Sequence, residues 1–130
     1  MEAELKTAPL FHTALTAGAE YISAKDTDTG LRLLNIPKSI YDLGLLFDNE
    51  QSVRASLKGR YIDWNADPTY QGNYGNVIFD VNAEVVISRT RGGSMDVFGT
   101  VHNISNRSQY LTSLYTNTAR WVEAGLRYKF

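Results

Sequence analysis

Cysteine is absent from the 130-residue chain, and histidine, methionine and tryptophan (two each) and proline (three) are scarce. Without cysteine there is no disulfide framework, no thiolate zinc site and no thiol nucleophile. His12 and His102 are far apart and form no H-x-x-x-H pair, so a histidine-rich metal centre is not expected. Charge of one sign is also lacking: 13 Lys+Arg stand against 14 Asp+Glu, net −1. A nucleic-acid binder carries a clustered basic excess, so no nucleic-acid partner is expected. No apolar run reaches the roughly 18 residues of a transmembrane helix. The opening Met1-Glu2-Ala3-Glu4-Leu5-Lys6 does not read as a secretory signal.

What is present is alternation. The length suits one domain or a piece of a larger one, and the runs between polar loops have period two, as half-exposed strands do. Over residues 51–64, Val53, Ala55, Leu57, Gly59 and Tyr61 share one face, and Ser52, Arg54, Ser56, Lys58 and Arg60 the other. A helix would mix these two sets around its circumference, whereas a strand separates them. Over 76–89, Val77, Phe79, Val81, Ala83, Val85 and Ile87 oppose Asp80, Asn82, Glu84 and Ser88. Segments 12–24, 39–47, 95–103 and 120–130 follow the same rule less regularly, and 2–7 reads as part of one more strand. No segment reads as a helix of useful length. The sequence therefore predicts an all-β, antiparallel up-and-down meander of six to seven strands.

The connections alternate in length. Segments 48–50 and 90–94, the latter with Gly92-Gly93, are tight hairpin turns, whereas 25–38, 65–75 and 104–119 are long and polar. Outer-membrane barrels have this asymmetry, with short periplasmic turns and longer outer loops. Alternation alone does not say whether the apolar face meets a protein core or lipid. Three features favour lipid. That face mixes small residues (Ala17, Ala19, Ala55, Gly59, Ala83, Gly99, Ala124) with large ones, which packs a soluble core poorly. Tyr21, Tyr41, Phe47, Tyr61, Tyr128 and Phe130 fall near strand ends, as interface girdles do. The two clearest patterns run for 14 residues, longer than a soluble strand of about 5–6 and enough for the roughly 9–11 that span a bilayer.

The chain closes on Trp121-Val122-Glu123-Ala124-Gly125-Leu126-Arg127-Tyr128-Lys129-Phe130, with Leu126, Tyr128 and Phe130 on one face. It resembles the last strand of bacterial outer-membrane proteins, whose terminal aromatic is read by the barrel-assembly machinery. Asp26-Thr27-Asp28-Thr29-Gly30, followed by Leu34-Asn35-Ile36-Pro37-Lys38, resembles a stretch of TonB-dependent receptors at the junction of the sixth- and fifth-from-last strands. Gly59-Arg60-Tyr61 is similar to their next strand, and Val101 to Tyr110 to their V-x-N-L-F-D-K-x-Y element. The chain departs from that element with Ile104-Ser105 for Leu-Phe and with Ser108 where Lys or Arg often precedes the Tyr.

The resemblance implies that residues 1–130 are the C-terminal portion of a receptor barrel, plug domain and earlier strands absent, in the outer membrane of a Gram-negative bacterium. Such barrels have about 22 strands. The parent would import a scarce nutrient: siderophore-iron, haem, cobalamin or a glycan. This segment would supply wall and extracellular loops. Its partners would be the lipid bilayer, the rest of the barrel and plug, and the assembly machinery, with TonB reached only through the plug.

Trp64, Tyr70 and Tyr74, with Asn65 and Asp67, cluster in one outer loop, and Tyr110 and Tyr115 lie in another. Such rings suit capture of a flat or amphipathic ligand, and equally loop packing or an interface girdle. Arg54, Lys58 and Arg60 form a basic ladder on the inner face opposite Asp80, Asn82 and Glu84. That ladder suits guidance of an anionic complex or cross-strand pairing within a lumen. Asp26 and Asp28 lack the Gly-and-Glu continuation of a calcium loop, and lone His102 reads as a hydrogen-bonded lumen residue rather than a haem ligand. No G-x-S-x-G context accompanies Ser, His and Asp, so neither enzymatic activity nor a cofactor is expected. Two other readings compete: a soluble carrier of the lipocalin or fatty-acid-binding kind, with its apolar face inward, and a complete small outer-membrane barrel with a structural or adhesive role.

Overall fold

The computed structural model describes residues 1–69, 75–112 and 115–130. Those residues form strands and no helix: β1 (Glu2–Lys6), β2 (Thr13–Tyr21), β3 (Pro37–Asp48), β4 (Val53–Trp64), β5 (Ile78–Thr90), β6 (Gly93–His102), β7 (Tyr110–Thr112), β8 (Tyr115–Thr116) and β9 (Trp121–Lys129). Seven make one antiparallel sheet in the order β1-β2-β3-β4-β5-β6-β9, and β7-β8 is a separate two-stranded ribbon inside the last long loop. The meander is thus as the alternation predicts, and the ribbon is an addition to it. The sheet is not closed, and β1 and β9 are its two edges.

Short connections gather at one rim and long ones at the other. The β1–β2, β3–β4 and β5–β6 turns share a rim, and the amide of Asp48 donates to the carbonyl of His12 between two of them. At the β3–β4 turn, Asn49 Oδ1 accepts the amides of Gln51, Ser52 and Val53 at 2.8–3.0 Å, so a side chain replaces the missing ladder partner. Gly93 at the third turn has φ +144°, and a Cβ there would collide with the carbonyl of Lys129. Gly93→Ala is expected to cost about 2 kcal/mol or more in equilibrium unfolding. At Gly92 a Cβ would meet nothing closer than 3.9 Å, so Gly92→Ala should be close to neutral in the same assay.

Register stacks apolar side chains in continuous rows. Leu15, Leu45, Leu57, Val81, Val101 and Val122 are consecutive partners across six strands. Phe47, Ala55, Ala83, Gly99 and Ala124 form a second row, and Val53, Val85, Val97 and Leu126 a third. Between the stacked rings of Tyr41 and Tyr61 and the row containing Phe47, no Asp, Glu, Lys or Arg lies on this face among the described residues. Nothing covers it. Leu15, Leu43, Leu45, Leu57, Val85, Val97, Val122 and Leu126 are all 36–68% exposed. The buried apolar side chains among the described residues are Ala14, Ile62 and Tyr110, none of them in these rows.

The opposite face is polar and concave. One cavity of about 880 Å³ is lined from both edges of the sheet, by Glu4 and Lys6 of β1 and by Trp121 of β9. The sheet's register shifts between Pro37 and Ser39 at the start of β3 and, within β5, at a bulge between Val86 and Ser88. Ser88 then pairs with Met95 on the apolar side, so the face that holds Val77 to Val85 does not continue to Ile87.

Candidate functional site

The concave face holds the chain's charge chemistry in two groups. Near the short-turn rim the hub is Glu84 of β5, 12% exposed. Its Oε1 accepts from Arg54 Nη1 at 3.1 Å and Lys129 Nζ at 3.3 Å, and its Oε2 from Arg127 Nη1 at 2.7 Å. Arg127 reaches Glu84 across β6 because residue 125 is glycine. The Phe98 ring lies where a Cβ of residue 125 would stand, at 2.8 Å, and the Arg127 guanidinium sits 5.2 Å above that ring. Lys129 also pairs with Asp96, which is fully buried. Arg54, Arg127 and Lys129 therefore compensate carboxylates on neighbouring strands of the sheet.

Near the long-loop rim Arg60 pairs with Asp42 at 3.7 Å. Lys58 stands opposite Asp80 in the register, yet among the described residues it has no ion-pair partner. Asp80 is engaged elsewhere: Oδ1 accepts the Asn103 amide at 2.8 Å, and Oδ2 lies 3.5 Å from His102 Nδ1. His102 Nε2 lies 3.6 Å from Glu123 Oε1, and its ring stacks on Trp121 at 3.9 Å.

The last long loop folds back over this end of the cavity. Asn103, 2% exposed, donates from Nδ2 to the carbonyls of Arg107 and Thr118 and accepts the Arg107 amide on Oδ1. Gln109, also 2% exposed, donates from Nε2 to the Asn76 carbonyl at 2.8 Å, tying this loop to the start of β5. Trp64 Nε1 donates to the Tyr110 carbonyl at 3.0 Å. Asn65 does the same for the first long loop, donating to the Leu33 carbonyl at 2.9 Å.

Of the aromatic residues singled out from the sequence, the fold brings Trp64 and Tyr110 together, with Tyr110 buried beneath the loop. Tyr115, on β8 beside Tyr110's register partner Thr116, is 69% exposed. Tyr70 and Tyr74 lie outside the described residues. Leu126 and Tyr128 are on the outward apolar face, where the Tyr128 hydroxyl donates to the Gly92 carbonyl at 3.0 Å, and Phe130 is fully exposed at the short-turn rim.

Asp26 Oδ1 takes the amides of Thr29 and Asp28 and the Thr29 hydroxyl. Those donors, the Thr29 amide first, hold its carboxyl below the usual range. Asp67 is lowered by the Thr69 hydroxyl and amide. Both carboxylates close turns. Among the described residues no group of three His, Asp or Glu is placed to hold a metal ion.

Sequence reasoning did not single out Asp96, Arg127, Lys129, Asn103 or Gln109. A signal existed for the first three, since each falls on the polar side of its strand's alternation. Burial of Asn103 and Gln109 depends on the loop's return path, which no periodicity encodes. Compared with known proteins, the chain matches no family model, no curated protein and no solved structure.

Proposed function

We propose that the sheet is a segment of a transmembrane β-barrel wall, its apolar rows against acyl chains and its charged face toward an aqueous lumen. The observation that carries this reading is the inversion of faces: aliphatic rows lie exposed while Asp96 and Glu84 are sheltered in the concavity. A sheet in water turns its charged face outward and buries the other, whereas a barrel in lipid does the reverse. From Val53 to Tyr61 the apolar face of β4 runs nine residues, about 26 Å of strand at roughly 3.3 Å for each of the eight steps. Tilted, that is on the order of the ~25 Å apolar band of an outer-membrane barrel. A soluble carrier would leave the aliphatic rows without a partner.

Strand parity bears on a complete small barrel. β1 and β9 both run from the long-loop rim to the short-turn rim, so joining them would be parallel. An antiparallel wall needs at least one further strand to join the two edges, since open edges are not tolerated in hydrocarbon. The motif resemblance supplies the parent: a TonB-dependent receptor of a Gram-negative outer membrane that imports a scarce nutrient. This chain would contribute wall and outer loops to it, with the plug and earlier strands as partners.

The membrane reading expects the chain to fold in detergent micelles or bilayers and to aggregate in plain buffer. A stable, monodisperse monomer in plain buffer would overturn it. Parentage is tested by the reading frame upstream of Met1, which the receptor reading expects to encode earlier barrel strands and a plug.

A further inference from the structure

The first long loop folds back on itself as a small hairpin. Lys25 and Arg32 pair across it, the Asp26 amide donates to the Leu31 carbonyl, and the Leu33 amide donates to the Ala24 carbonyl. Asn65 Nδ2 ties the hairpin to the sheet through the Leu33 carbonyl. Two cations thus stand directly opposite each other, an arrangement that destabilises unless an anion offsets it. Among the described residues no carboxylate does so. The lysine and arginine ion pairs employ Lys38, Arg54, Arg60, Arg127 and Lys129, but neither Lys25 nor Arg32. Asp26, next in sequence, spends Oδ1 on the Asp28 and Thr29 amides.

Arg32 has a fixed place. Its Nη2 donates to the Tyr21 hydroxyl at 2.7 Å, and its guanidinium carbon lies 5.5 Å from the centroid of that ring. Tyr21 ends β2 on the apolar face, two residues beyond Ala19, the register partner of Tyr41. It is therefore about 7 Å nearer the long-loop rim than the Tyr41–Tyr61 stack. Tyrosines of a membrane wall occupy the headgroup level, so Arg32 stands at the depth of lipid phosphates.

We propose that Lys25 and Arg32 hold the phosphate of a lipid in the long-loop leaflet, its acyl chains lying on the apolar rows. The site rests on the wall reading above. Arg32 grips two phosphate oxygens with its planar fork, and Lys25 supplies a point charge beside it. The anion cancels the repulsion between them, and Tyr21 keeps the guanidinium at that depth.

The test uses the full chain folded in uncharged, phosphate-free micelles and titrated with dihexanoyl phosphatidic acid, reading the Lys25 and Arg32 amides by NMR. Both should shift saturably, with a midpoint about tenfold or more below that of inorganic phosphate, because the acyl chains add apolar contact. The Lys25 side chain forms no ion pair or hydrogen bond among the described residues, so Lys25→Gln leaves the hairpin intact. It should raise the lipid midpoint about three- to tenfold, as loss of one exposed charge-assisted contact does. Inorganic phosphate acting at the same concentration would overturn the lipid as occupant. No shift, or an unchanged midpoint in Lys25→Gln, would overturn the site. In bilayers containing acyl-chain nitroxides the Leu45 and Leu57 methyl signals should broaden. Failure of the site with that broadening intact leaves the wall reading standing, whereas absence of broadening removes both.

Discussion

Leu57→Arg is expected to lower the chain's stability in phospholipid bilayers by about 2–4 kcal/mol, the cost of a cation near the midplane of a barrel's lipid face. Leu57 is the place to look because it lies within β4, in the unbroken row from Leu15 to Val122, with no charged residue near it on that face. Ser56→Arg is the control. Its side chain points into the concavity beside Asn82, where charge is already carried and water reaches, so a change of well under 1 kcal/mol is expected. Equilibrium urea unfolding in lipid gives both values. The contrast between adjacent residues separates a face effect from a position effect.

Glu84→Gln is expected to lower stability by about 1–3 kcal/mol. The substitution keeps shape and removes the charge that Arg54, Arg127 and Lys129 share. Breaking a buried ion pair from one side costs about 3–5 kcal/mol. That figure is discounted here because the three cations are 42–52% exposed and retain water. Because two of the three are on β9, the loss should fall on the last strand first. Amide protection in β9 is expected to drop more than in β2, to which none of the hub's ion pairs reaches. A uniform drop would instead point to a general loss of packing.

The strands were legible because alternation is a local signal: 51–64 and 76–89 differ from β4 and β5 by no more than two residues at either end. Loop lengths were legible for the same reason, and they place the rims correctly. The bulge at Val86/Ser88 was not, because Ile87 continues the pattern perfectly and only the pairing with β6 reveals that a residue has been inserted. The pairing of Arg54 with Glu84 follows from register. Arg60 turns instead to Asp42 on the other neighbouring strand, and Asp80 to His102 and Asn103, choices that depend on which partner each strand's second neighbour offers. The roof over the cavity was the least legible part. Asn103 and Gln109 look like ordinary loop polars, and their burial comes with hydrogen bonds that span up to 49 residues.

The absence of cysteine allows the central claim to be probed one residue at a time. Single cysteines at positions 53 to 58 of β4, each carrying an environment-sensitive dye, would be read in bilayers containing acyl-chain quenchers. Positions 53, 55 and 57 should be quenched from the lipid, and 54, 56 and 58 only by an aqueous quencher. Loss of that alternation, or its reversal, would mean that Leu57 and its row do not face acyl chains.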